Sequence, residues 1–279
     1  MLRFAPLLAL AATVVSCGGA STGGDGRPAV VAAFYPLAWA AEAVGGGEVA
    51  VTDLTPPGAE PHDLELTPGQ VRQVAGASLV VYVGSGFQPA VEELAADRPA
   101  AALDVLADGG NDPHVWLDPV AMAGIVEDIG ARLAEETPEG AAAIERRAED
   151  AGRDLRDLHD HFTAGLRACE RREFVVSHDA FGHLAERYDL EQIAISGLDP
   201  EAEPAPGRIA EVADLARDRG VTTIFFETLV SPAVAEAIAN EAGLETEMLD
   251  PLETEPQDGD YLDGMRANLA ALRRALECE

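Results

Sequence analysis

Short β-branched apolar runs alternate with helical patterns along this chain, and the alternation occurs twice, on either side of one long helical stretch. In the first half, runs at 30–34, 49–54, 79–83 and 102–105 are separated by helical patterns at 37–44, 68–75 and 88–96. In the second half, 173–177, 192–195, 221–226 and 245–249 read as strands, with helices near 180–188, 206–219, 232–242 and 258–276. Such alternation implies βα units carrying parallel sheets. Between the halves, Ile144, Ala148, Leu155, Leu158, Phe162 and Leu166 recur at helical spacing with charge on the other faces, which predicts a single helix of about 30 residues and roughly 45 Å. The expected fold is therefore α/β: two βα lobes with parallel sheets, at 29–137 and 169–279, joined by one long backbone helix at 138–168. The length allows each lobe its own core.

The N-terminus reads as processing signal rather than fold. Arg3 precedes an apolar run at 4–15 that is too short to span a membrane, so residues 1–16 read as a signal peptide. Val14-Val15-Ser16-Cys17 resembles a lipobox, which makes Cys17 the expected lipidated residue, and the Gly/Ser-rich residues 17–28 a flexible tether. The expected location is the outer face of the cytoplasmic membrane, held there by lipid alone. Cys169 and Cys278 are the other cysteines; in an exported protein an even pair reads as one disulfide, with two free thiols as the alternative.

The chain carries a formal charge of −31 and no lysine. Such acidity argues against nucleic acid or an anionic membrane face as a partner. It also raises the local concentration of cations, although arginine for lysine and abundant alanine fit a GC-rich genome equally well.

Three of the six histidines stand beside predicted turns. His62 follows a strand end and the Pro56-Pro57-Gly58 turn, and His178 ends the run Phe174-Val175-Val176-Ser177. Both therefore arrive at the C-terminal edge of a sheet, where ligands of open α/β folds collect. His114 lies on the loop entering a helix for which Asp118 is the N-cap and Pro119 the first residue. Asp250 ends the last strand. Three imidazoles and one carboxylate are the donor set of a closed tetrahedral Zn²⁺ site. His159 and His161 lie on the long helix two residues apart, face different ways and are expected to be solvated; His183 is expected to be structural.

The segments Glu60-Pro61-His62-Asp63, His114-Val115-Trp116-Leu117-Asp118-Pro119, Ser177-His178-Asp179 and Leu249-Asp250-Pro251 occur in this order. With Phe34-Tyr35-Pro36-Leu37 and Ile195-Ser196-Gly197-Leu198, they resemble the solute-binding proteins of zinc and manganese ABC transporters, the ZnuA/TroA-like cluster A-I family. The resemblance implies a monomeric, lipid-anchored protein that captures Zn²⁺ and delivers it to an ABC permease and, through it, an ATPase. It implies His62, His114, His178 and Asp250 as ligands, with Glu60 or water as competitor for the fourth position. Glu227 is placed to accept a hydrogen bond from a ligating imidazole. Manganese-selective relatives carry glutamate where this chain has His178, and three imidazoles suit zinc better than Mn²⁺. The chain departs from many zinc members in lacking a long His-rich loop, since residues 107–112 are short and contain no histidine.

Other readings are manganese or iron uptake within the same family, a zinc hydrolase, and a surface adhesin. Catalytic zinc needs an open position for water, and neither an H-E-x-x-H helix nor a nucleophile elbow is present, so no enzymatic activity is expected.

Overall fold

The computed structural model describes residues 26–106 and 110–279. The expected signal peptide, the expected lipidation site Cys17 and residues 107–109 of the short loop lie outside them.

The first half builds a parallel sheet from β1 (Ala29–Ala32), β2 (Ala50–Asp53), β3 (Leu79–Tyr82) and β4 (Ala102–Asp104) in the order β2-β1-β3-β4. β5 (Glu173–Val176), β6 (Glu191–Ala194), β7 (Thr223–Phe226) and β8 (Glu245–Met248) repeat that order in the second half as β6-β5-β7-β8. In each sheet the chain leaves the first strand on one side, then crosses back over it. This reversal opens a crevice at the C-terminal strand ends.

Helices α1 (Tyr35–Gly45), α2 (Pro68–Gly76), α3 (Pro89–Ala96) and α4 (Pro119–Glu136) flank the first sheet. Their starts are written in the sequence. Thr67 and Gln70 close a capping box on α2, and the Asp118 carboxylate accepts the Val120 N–H ahead of α4, so two orphan helix ends are satisfied locally. The long helix, α5, runs Ala141–Leu166, 26 residues against the 30 expected, or roughly 39 Å at the α-helical rise. Helices α6 (Gly182–Arg187), α7 (Pro206–Asp218), α8 (Ala233–Ala242) and α9 (Tyr261–Ala275) complete the second half.

The core does not divide as the two-lobe reading implies. One continuous apolar cluster runs from Val30 through Trp116, Ile144, Leu155 and Phe162 to Phe174 and Leu272. A second, smaller cluster fills one side of the second sheet around Val175, Val212, Ile224 and Ile238. The cause is the stripe on α5, which packs against α4, α1 and α9 together. Gly130 lets α4 come close: a β-carbon there would lie 2.6 Å from that of Ala148 on α5. Hinge closure between the lobes would have to shear this packed cluster.

Polar ties reinforce it. Arg187 on α6 grips Asp118 through Nε and Nη2 at 2.6–3.0 Å. The cysteine pair is joined as a Cys169–Cys278 disulfide, fastening the C-terminal end of the chain to the segment after α5. His159 departs from its expected solvation: it is half-buried, and its ring stacks on Tyr188 at 5.7 Å. His161 is exposed.

Candidate metal centre

Four loops at the C-terminal strand ends converge on one point. His62 follows β2, His114 follows β4, His178 follows β5 and Glu253 follows β8. Each lobe supplies two of the four.

His62 is placed through its backbone. Its N–H donates to Glu60 Oε1 at 3.2 Å, the Gln88 side-chain amide holds the Pro61 carbonyl at 3.1 Å, and the ring packs edge-on to Phe87. His114 is placed by Asp112, whose Oδ1 accepts both the His114 N–H at 3.0 Å and Nδ1 at 2.7 Å. Gly182 makes room for that carboxylate, since a β-carbon there would sit 2.6 Å from Asp112 Oδ2. His178 is held in the same way by Glu227, at 3.1 Å to the N–H and 2.6 Å to Nδ1. His183 lies outside the cluster, with Nε2 3.0 Å from the Asp112 carbonyl. With Nδ1–H given to a carboxylate, the neutral imidazoles of His114 and His178 would each turn the Nε2 lone pair to the centre.

The fourth member of the cluster is Glu253, and the expected Asp250 stands outside it. The Asp250 carboxylate closes the turn that delivers Glu253: Oδ1 accepts the Leu252 N–H at 2.9 Å and the Thr228 hydroxyl at 3.4 Å. An aspartate before proline at a strand end is an Asx-turn residue, a signal legible in Asp250-Pro251. Glu60 also stands outside the four, its carboxylate turned to the His62 N–H. Burial, then the charge of Glu253, pushes the Glu60 carboxyl up to about 8. Asp112 is a second residue that sequence reading missed, two positions before the histidine it holds.

The geometry suits a small tetrahedral ion. Zn–N bonds of about 2.0–2.1 Å imply donor–donor edges of roughly 3.3–3.4 Å in a regular tetrahedron. Glu253 Oε1 lies 3.3, 3.6 and 3.7 Å from Nε2 of His62, His114 and His178, and the last two nitrogens are 3.2 Å apart. The side chains of His114 and His178 are fully buried and that of Glu253 is 2% exposed, whereas that of His62 is 13% exposed. Access is therefore from the His62 side. Phe34, Phe87 and Trp116 form an aromatic floor with ring centroids 4.7–5.6 Å apart, which keeps the dielectric low beneath the donors.

Burial would lower the His114 imidazole, but the Asp112 and Glu253 carboxylates outweigh it and hold it up at about 9. Burial would raise Glu253, and its hydrogen bonds to His114 and His62 bring it well below the usual carboxylate range.

Comparison with known proteins gives a consistent picture. The family model described as "Zinc-uptake complex component A periplasmic" matches residues 30–275. The high-affinity zinc uptake system protein ZnuA of Bacillus subtilis is 31% identical, over 94% of this chain and 93% of that protein. The zinc-binding lipoprotein AdcA of Streptococcus pneumoniae is also 31% identical over 91% of this chain, which spans only 57% of its length. Among solved structures, the Zn(II)-bound ZnuA-like domain of S. pneumoniae AdcA superposes with a TM-score of 0.80 at 31% identity, covering 90% of this chain and all of that domain. The laminin-binding protein Lmb of Streptococcus agalactiae, described as bifunctional in adhesion and metal transport, gives 0.82 at 30% identity, over 89% and 99% of the two chains.

Proposed function

Because this chain belongs to the zinc-uptake complex component A (ZnuA) family, we propose that it captures Zn²⁺ outside the cytoplasmic membrane and delivers it to an ABC permease coupled to an ATPase. The observation that carries this reading is the convergence of His62, His114, His178 and Glu253, whose donor atoms lie within 4.8 Å of one another, with four of the six separations at 3.2–3.7 Å, near the edge of a zinc tetrahedron. In this reading those residues ligate the ion, while Asp112 and Glu227 fix the imidazoles that hold it.

The donor chemistry supports zinc over manganese, since three imidazoles and one carboxylate favour a borderline ion over a hard one. Four protein ligands leave no position for an activated water, which favours capture over hydrolysis. Lipid attachment through Cys17 and action as a monomer complete the proposal.

The test is metal titration of the soluble chain lacking Cys17, stripped with chelator, in competition with a zinc indicator. The expected outcome is one tight Zn²⁺ equivalent that outcompetes Mn²⁺ and is abolished by His114→Ala. Tight Mn²⁺ with weak Zn²⁺ would overturn the assignment of the ion.

A further inference from the structure

Helix α9 presents one stripe, Tyr261, Gly264 and Asn268, to the turn that ends in Glu253. These positions are spaced i, i+3 and i+7 and so share a helix face. Asn268 is 3% exposed, and its carboxamide grips Asp250 on both sides: Oδ1 accepts the Asp250 N–H at 2.9 Å, and Nδ2 donates to the Asp250 carbonyl at 2.6 Å. Asp250 in turn caps Leu252. Leu252 is fully buried at φ 56°, a left-handed conformation that a residue with a β-carbon keeps only where its surroundings hold it. Gly264 makes space for that leucine, because a β-carbon there would collide with its δ-methyl.

We propose that Asn268 is the positioning residue for the fourth zinc ligand, fixing through Asp250 and the left-handed Leu252 where Glu253 Oε1 stands. The inference rests on the zinc-capture reading. Asn268 bonds the turn that carries Glu253 and none of the groups that hold the histidines: its two hydrogen bonds go to Asp250, whereas the histidines are held by Gln88, Asp112 and Glu227. Zinc affinity is thus set in part by a helix that carries no ligand.

The experiment is a double-mutant cycle in the full-length chain, with zinc affinity read by indicator competition. Asn268→Ala weakens zinc by about 10- to 100-fold in the otherwise native chain, the range seen when partners of metal ligands are removed. On a Glu253→Ala background, the same change alters affinity by less than about twofold, because the residue it positions is gone. Gly264→Ala, which pushes on Leu252 and removes no polar atom, shows the same dependence on Glu253. With Co²⁺ in place of zinc, the visible spectrum of Asn268→Ala moves toward that of Glu253→Ala.

Equal losses on both backgrounds, with a lowered melting temperature, would assign Asn268 a purely structural role and overturn the proposal. Native zinc binding by Asn268→Ala would overturn it alone. A wild-type chain that takes up no zinc would overturn the metal reading and this inference with it.

Discussion

The indole N–H of Trp116 donates to the Pro251 carbonyl across 2.7 Å. One residue lies two positions after His114 and the other two positions before Glu253, so the two ligand loops are tied across the lobes by protein alone. The Tyr261 hydroxyl donates to the Trp116 carbonyl, closing the tie from α9. Trp116→Phe would orphan a buried carbonyl, a loss of about 1–3 kcal/mol before any cavity is counted. The expected result is a lower urea midpoint for the metal-free protein with an unchanged slope.

Zinc binding should release a proton near neutral pH. His114 is held at about 9 in the metal-free protein, so it is cationic at pH 7 and must become neutral to ligate. Apparent affinity is expected to rise with pH up to about 9 through this group. Titration calorimetry at pH 7 in two buffers of different ionisation enthalpy gives the proton count. Metal-free stability follows the opposite course. The raised His114 contributes fully below its unfolded value, and that contribution fades as pH climbs through about 9. The lowered Glu253 contributes above its unfolded value, and its share fades in strong acid.

The Cys169–Cys278 disulfide closes a loop across a sequence separation of 109. Replacing both cysteines by serine is expected to lower stability by about 2–5 kcal/mol. Zinc affinity should change little, because the bond lies away from the strand ends that carry the site. Thermal unfolding with and without reductant, each with a zinc titration, checks both statements.

Converting the site toward manganese takes two changes. His178→Glu alone would set a carboxylate against Glu227, whose Oε2 lies 2.6 Å from His178 Nδ1. Like charges at that distance raise each other's pKa and weaken both as partners. The single variant is expected to lose zinc without gaining Mn²⁺. His178→Glu with Glu227→Gln should raise the Mn²⁺-to-Zn²⁺ affinity ratio in a competition titration.

Much of this was legible because it is local. The Asp118-Pro119 start of α4 and the α5 stripe are short-range patterns, and each lies where its spacing predicts. His62 and His178 were legible as residues at strand ends, and His114 as a residue of the loop entering α4. What the sequence did not disclose is long-range. The shared core depends on how α5 meets three helices at once, and the π-stacking of His159 on Tyr188 depends on a contact 29 residues away. Asp250 and Glu253 differ by a single turn, and which carboxylate faces the centre depends on Leu252 adopting a left-handed conformation.

The donors of the candidate centre come in pairs from the two halves of the chain, and His62 and Glu253 are 191 residues apart. A bound ion is then a reversible cross-link as well as cargo. It closes chain loops much as a covalent bridge does, and its binding free energy adds to folding free energy. The loaded protein should open less often and resist proteases longer than the empty one. Zinc supply would then govern how long each copy survives as well as how much metal it carries.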